Sequence, residues 1–301
     1  MDGYRHPLYA SSLKAFGRPR HLAACDGWIL ERPIVGSDRL DAMGCYPLFA
    51  CKDWSQLGAD MAALAGECVS LAVVTDPFGR YTVDDLRQQF NAVVSPFKEH
   101  LVLDLHRPIE ETTSKRHRKK ARSALKSVEV EIIEEAVTFL DEWTALYDHL
   151  IQRHNINGIR AFSRESFAQQ LAIPGTVVAR VQYQQRTVGA QIIIFQDDVA
   201  HCHLAAYTPE GYELNASYAS DYISIQYCAS KVRWYNLGGG VGIDNQVQDG
   251  LTWYKSGWSS ETRTTFFCGH IFDPAAYNEI VASKGIQPTH YFPAYRVGEF
   301  A

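Results

Sequence analysis

Between residues 176 and 207 three apolar segments of strand length, 176–183, 187–195 and 200–207, follow one another with only Gln184-Gln185-Arg186 and Gln196-Asp197-Asp198 as polar turns. Short apolar runs punctuated in this way read as consecutive strands. Two helices precede them. Leu140, Trp143, Tyr147 and Leu150 fall at i, i+3, i+7 and i+10, an apolar stripe that predicts an amphipathic helix over 138–153. Ser163 is placed to cap a second helix over 164–171. A helix over 216–233 and a strand over 234–237 follow, and the alternation through 128–133 predicts a further strand with one buried face. The second half thus runs helix, helix, strand, strand, strand, helix, strand, and its class is α/β (α+β).

The first hundred residues read as a second α/β portion. Apolar runs at 28–30, 46–50 and 70–74 predict strands, 54–65 and 83–94 predict helices, and 101–105 gives one more strand. At 301 residues, 46% hydrophobic and 21% charged, the chain has the composition of a globular protein of one large or two medium domains. No run approaches the roughly 18 apolar residues of a membrane helix, and the N-terminus lacks a signal-peptide pattern, so a cytoplasmic location is expected. The seven cysteines are scattered without a Cys-x-x-Cys pair. They support neither a disulfide framework nor a zinc site and read as reduced thiols, mostly buried. A net charge of −5 argues against wholesale nucleic-acid binding, so an anionic partner must meet a local patch.

One such patch exists. Residues 114–126 hold seven Lys/Arg and no acid, behind threonines and a serine suited to helix capping. The run reads either as a solvated linker helix between domains or as a phosphate site, with Lys115, Arg118, Lys119 and Arg122 as its contacts.

The densest signal lies further on. The aromatic strand Trp234-Tyr235-Asn236-Leu237 ends in Gly238-Gly239-Gly240, and a short helix follows Asp249-Gly250 with Lys255 near its middle. Glycines add no packing and cost entropy, so three in a row signal a special backbone conformation or a close approach. Leu251, Tyr254 and Trp258 fall at i, i+3 and i+7, an apolar stripe that would pack the Lys255 stem and direct its ammonium. His201 and His203 flank Cys202, and alternation puts both imidazoles on one face. With no third ligand at suitable spacing a metal pair is not assigned, and His203 is taken as a contact in the cleft.

Leu-Gly-Gly-Gly at 237–240, Asp-Gly-Leu at 249–251, the Tyr254-Lys255 pair and Trp258 together resemble the Fem-type peptidyltransferases and their relatives in the GCN5-related N-acyltransferase (GNAT) superfamily. The basic run 114–126, the segment 205–211 and the helix after Asn215 extend the resemblance over about the C-terminal two-thirds. The resemblance implies two tandem GNAT-like domains, each a mixed, mostly antiparallel sheet flanked by helices. It divides the chain into a diverged domain at 1–113, a basic linker helix at 114–127, a catalytic domain at 128–284 and a tail at 285–301 that returns to the first domain. It implies transfer of an acyl or aminoacyl group from acyl-CoA or aminoacyl-tRNA to an amine of a small or nucleotide-linked acceptor, without a tightly bound cofactor. Acyl transfer needs a positioned amine and donors aimed at the developing oxyanion. Lys255 would supply the cation, Tyr207 a hydroxyl donor or proton relay, and Asp244 a hold on the amine. Gly238, Gly239, Gly240, Asp249 and Tyr254 would line the substrate, with Asp249 also fit to cap the helix.

The sequence also departs from that pattern. Segment 207–215 has one glycine and two acids where acyl-CoA enzymes carry a glycine-rich pyrophosphate loop, which weakens the case for coenzyme A. No helical pattern matches the long arm of some Fem-type enzymes, and Tyr254 and Trp258 stand where phenylalanines are more usual. The competing expectation is a non-catalytic module of the same fold that holds RNA or a phosphorylated ligand on its basic helix.

Overall fold

In the computed structural model, which describes residues 1–240 and 250–299, the strands are β1 Arg18–Leu22, β2 Gly27–Pro33, β3 Leu40–Gly44, β4 Cys68–Val74, β5 Val93–Asp104, β6 Glu129–Ile133, β7 Val177–Tyr183, β8 Arg186–Gln196, β9 Val199–Tyr207, β10 Trp234–Gly238 and β11 Thr262–Ile271. Compactness divides the chain into one unit of 1–3 with 98–263 and another of 4–97 with 264–301.

In the first of these units β6, β7, β8 and β9 form an antiparallel series. β10 then joins β9 in parallel, and β5 closes the order by pairing antiparallel with β10. The second unit repeats the pattern. β1, β2 and β3 are antiparallel, β4 adds in parallel, and β11 pairs antiparallel with β4. This shared pattern is the tandem arrangement expected from the resemblance.

The sequence reading drew boundaries at 113, 127 and 284, whereas the units divide at residues 3, 97 and 263. The reason is strand pairing. The pairing partner of β10 is β5, so 98–104 belong with the second half of the chain, and β11 pairs with β4. The basic helix Lys115–Ala124 is no free linker either, since Ala121 and Ala124 are buried in the first unit's core. Residues 264–301 group with 4–97 in one unit, in which Tyr295 bonds Ser70 and Arg296 pairs with Asp41.

Two other expectations were adjusted. Residues 46–50 form no strand but only isolated bridges at Phe49 and Cys51, around a cis Tyr46-Pro47 bond. The helix expected over 83–94 stops at Gln89, because Phe90 turns extended and Val93 opens β5. β1, β3, β11 and the helix Pro274–Ser283 had no clear signal.

The first unit's core is Leu101, Leu103, Ile193, Phe195, Tyr218, Tyr235 and Trp258, which places the helix Ala216–Ala229 on one face of the sheet. All seven cysteines are free, six of them buried. Among the described residues no helix is long and apolar enough to cross a membrane.

Candidate functional site

The parallel ladder between β9 and β10 runs from Trp234 opposite Val199 to Asn236 opposite His201 and then stops, while β9 continues to Tyr207. Beside that end the register of β10 against β5 shifts between Asn236 and Gly238, a β-bulge. Gly238 has φ +76°, a left-handed conformation that a side chain would strain, which is why a glycine stands here. The Asn236 side chain fixes the turn by accepting from the Gly238 N–H at 2.8 Å.

Two lysines hold the glycine segment. Lys255 Nζ donates to the Gly239 carbonyl at 2.6 Å, and Lys98 Nζ to the Gly240 carbonyl at 2.8 Å. Lys255 rides on the short helix Gly250–Ser256, which is anchored from two sides. Tyr254 donates its hydroxyl to Asp221 Oδ2 at 2.6 Å, and its carbonyl accepts from His117 Nε2 of the basic helix at 2.9 Å. With Nε2 carrying the proton, His117 Nδ1 accepts from Ser114. Ser114 N donates to the Gly257 carbonyl and Thr113 Oγ1 to that of Trp258. The basic helix therefore positions the lysine helix. Of the expected apolar stripe, Trp258 is fully buried and Tyr254 half-buried, but Leu251 is exposed.

Asp221 is the acid the sequence reading missed. It is the one charged residue of the helix Ala216–Ala229 and is 4% exposed. Gln191 Nε2 donates to Oδ1 at 2.8 Å, and the Gln191 carbonyl accepts in turn from Ser224 and Tyr235. Burial raises the Asp221 pKa against the pull of Tyr254, Gln191 and the nearby Lys255 charge. A lone acid in an otherwise uncharged helix was the available signal.

On the other face of the sheet, alternation aligns Lys98, His100 and Val102 of β5 with Asn236 of β10 and His201 of β9. His100, 8% exposed, lies 3.2 Å through Nδ1 from Asn236 Oδ1, and Asn236 Nδ2 lies 3.1 Å from His201 Nδ1. Gly238 N–H identifies Oδ1 as the amide oxygen, so His100 must donate through Nδ1 and keep its lone pair on Nε2. His201 is the reverse, accepting on Nδ1. Burial lowers both imidazoles to about 3, helped at His100 by the charge of Lys255.

The other expected residues are scattered. Tyr207 is buried rather than on a rim, with its ring against Gly189, and burial raises its pKa well above the ordinary value. It shares the buried polar cluster of Asp221, which also lifts its pKa. His203 bonds Gln170 at 3.3 Å and neighbours Phe162, next to a register shift of β8 against β9, and burial together with the nearby His201 lowers its pKa to about 3. Asp244 and Asp249 lie outside the described residues. The basic set splits. Lys115 and Lys119 line a surface hollow of about 490 Å³ with Arg116 and Lys120, whereas Arg118 and Arg122 face Glu110 at 3.6 and 3.9 Å. Arg116 stacks on the half-exposed Trp253 beside that hollow, 4.8 Å from the ring centre. Among the described residues no group of three or more His, Cys, Asp or Glu could hold a metal ion.

The sequence model of the acetyltransferase (GNAT) domain matches residues 111–256. No curated protein matches the sequence. Among solved structures the chain resembles FemX, with a TM-score of 0.67 at 13% identity over 92% of this chain and 94% of that one. It also resembles the C-terminal domain of a putative lysylphosphatidylglycerol synthetase from Agrobacterium fabrum, with a TM-score of 0.64 at 13% identity over 92% and 91%. L-PGS from Bacillus licheniformis follows at 0.56 and 14% identity over 95% and 98%. At such identities the likeness is one of fold. With strands in the GNAT order and the family's sequence pattern across 111–256, this segment matches an acetyltransferase (GNAT) domain, and the chain has the fold of FemX.

Proposed function

We propose that this chain is an N-acyltransferase that takes an acyl or aminoacyl group from a nucleotide-linked donor and passes it to an amine beside Gly238–Gly240. The observation that carries the reading is Lys255 Nζ held 2.6 Å from the Gly239 carbonyl, at the point where the β9–β10 ladder ends. An ammonium carries a full positive charge and three N–H donors, the kind of group that stabilises an oxyanion formed on an acyl carbonyl beside it. Asp221, through Tyr254, and His117, through the same residue's carbonyl, keep that cation in place.

The donor reading rests on charge and shape. Lys115, Arg116, Lys119 and Lys120 offer phosphates a positive hollow, and Trp253 offers a base a stacking surface. The turn after β9 offers a pyrophosphate little. Pro209 removes an N–H, Glu210 adds a negative charge, and Gly211 is packed so closely that a Cβ would stand 2.2 Å from the Val188 carbonyl oxygen. This favours aminoacyl-tRNA over acyl-CoA as donor.

The test is binding of aminoacyl-tRNA and of acetyl-CoA to the purified chain at low salt, followed by transfer to a panel of amines. Lys255→Ala should lower kcat by about 10² to 10³ while donor affinity changes little. Tight acetyl-CoA binding with turnover would overturn the donor assignment. Ligand binding without turnover from the parent chain would make it a binding module of the same fold.

A further inference from the structure

We propose that His100 is the proton acceptor for the attacking amine, a role that rests on the acyl-transfer reading. Four observations converge on it. The ring is buried but its Nε2 has no hydrogen-bond partner among the described residues. The Asn236 amide, itself locked by Gly238 N–H, forces the tautomer whose Nε2 is an acceptor. The Cδ2 atom, bonded to Nε2, lies 3.4 Å from where a Cβ on Gly239 would stand, so this edge of the ring faces the glycine segment that Lys255 holds. The imidazole sits in the strand immediately before Leu101, Val102 and Leu103, which are apolar core.

The step balances as follows. The amine lone pair forms the new C–N bond at the donor's carbonyl carbon, and the π electrons move to the oxygen, which Lys255 faces. The proton made acidic on nitrogen passes to His100 Nε2. The oxyanion then collapses, the bond to the ester oxygen of the donor breaks, and the departing oxygen takes the electron pair and the proton from His100. Amide and free hydroxyl result, and the imidazole ends neutral. An imidazole surrounded by Lys98, Lys255 and His201 starts this cycle unprotonated at neutral pH and, once protonated, gives the proton up readily.

The experiment compares parent, His100→Asn, His100→Gln and Asn236→Asp in single-turnover transfer, with imidazole tautomers read by ¹⁵N NMR on the parent. Asparagine keeps a donor toward Asn236 but has no atom at Nε2, and it should slow transfer by about 10² to 10⁴ with donor affinity unchanged. Asn236→Asp places a carboxylate on Nδ1–H and should move the acid limb of the pH–rate profile upward, which loss of structure alone would not do. The NMR should show Nδ1–H at His100 and Nε2–H at His201. Parent-like turnover in His100→Asn, an unmoved acid limb in Asn236→Asp, or an Nε2–H tautomer at His100 would each overturn the proposal while leaving acyl transfer standing. Absence of turnover in the parent with every donor would overturn both.

Discussion

At the scale of single residues, the most consequential side chain is Asp221, because a carboxylate that is 4% exposed is tolerable only while its hydrogen bonds hold. Tyr254 supplies one at 2.6 Å and Gln191 the other at 2.8 Å. Tyr254→Phe removes the first without opening space for water, and should cost about 1–3 kcal/mol in urea unfolding, with a further fall in transfer rate as Lys255 loses its anchor. An unchanged unfolding midpoint would mean that Asp221 is held some other way. Pattern reading assigned no role to His100, and for Asp221 it offered only a lone acid in an otherwise uncharged helix. The role of each depends on a partner far along the chain, 136 residues away for His100 and 30 and 33 away for Asp221. Lys255 was legible because its partner Gly239 lies only 16 residues off and carries its own signal in the glycine run.

Between elements, the contact that matters most is that of the basic helix with the lysine helix. A Cβ on Gly257 would stand 1.9 Å from His117 Cε1, and the ring is backed by Tyr218 and Trp258, so it cannot move aside. Gly257→Ala should therefore destabilise the chain by about 1–3 kcal/mol or more and loosen Lys255, seen as a lower unfolding midpoint together with a lower kcat. A stable, fully active variant would show that the two helices are not coupled through this contact. The outer face of the basic helix has a separate task. Reversing Lys115 and Lys119 to glutamate should weaken tRNA binding and reduce the slope of log affinity against log salt by about 2, whereas the same reversal at Arg118 and Arg122 should have a smaller effect because Glu110 already pairs them. Equal slopes for both pairs would put the phosphates elsewhere. The charge of this helix could be read from the sequence. Which of its cations share a face with Trp253, and which face Glu110, could not, because that depends on how the helix packs on Ala216–Ala229.

For the whole molecule, the buried imidazoles set the response to pH. His100 and His201 are held near 3 in the folded chain against about 6.5 when unfolded, so the unfolded state binds their protons first as pH falls. The stability they permit is intact above about pH 6.5 and is lost from there down toward 3, at up to about 1.4 kcal/mol per pH unit for each ring. Asp221, with its raised pKa, acts in the opposite sense as pH rises through the carboxylate range. Urea unfolding at pH 7.5, 6 and 5 measures the balance, and His201→Gln should flatten the decline. A parent whose stability does not change from pH 7.5 to 5 would show that these rings are not held neutral. The sequence alone determined the class of the second half, the strand order through 128–237, the glycine bend and its lysine, because those are written in local periodicity, turn residues and spacing. Tertiary structure decided where the units divide, since β5 and β11 pair with strands distant in the chain. It also decided which polar residues meet at the bend. Such meetings are settled by strand register and by the burial that long-range pairing creates, and no short window of sequence carries that information.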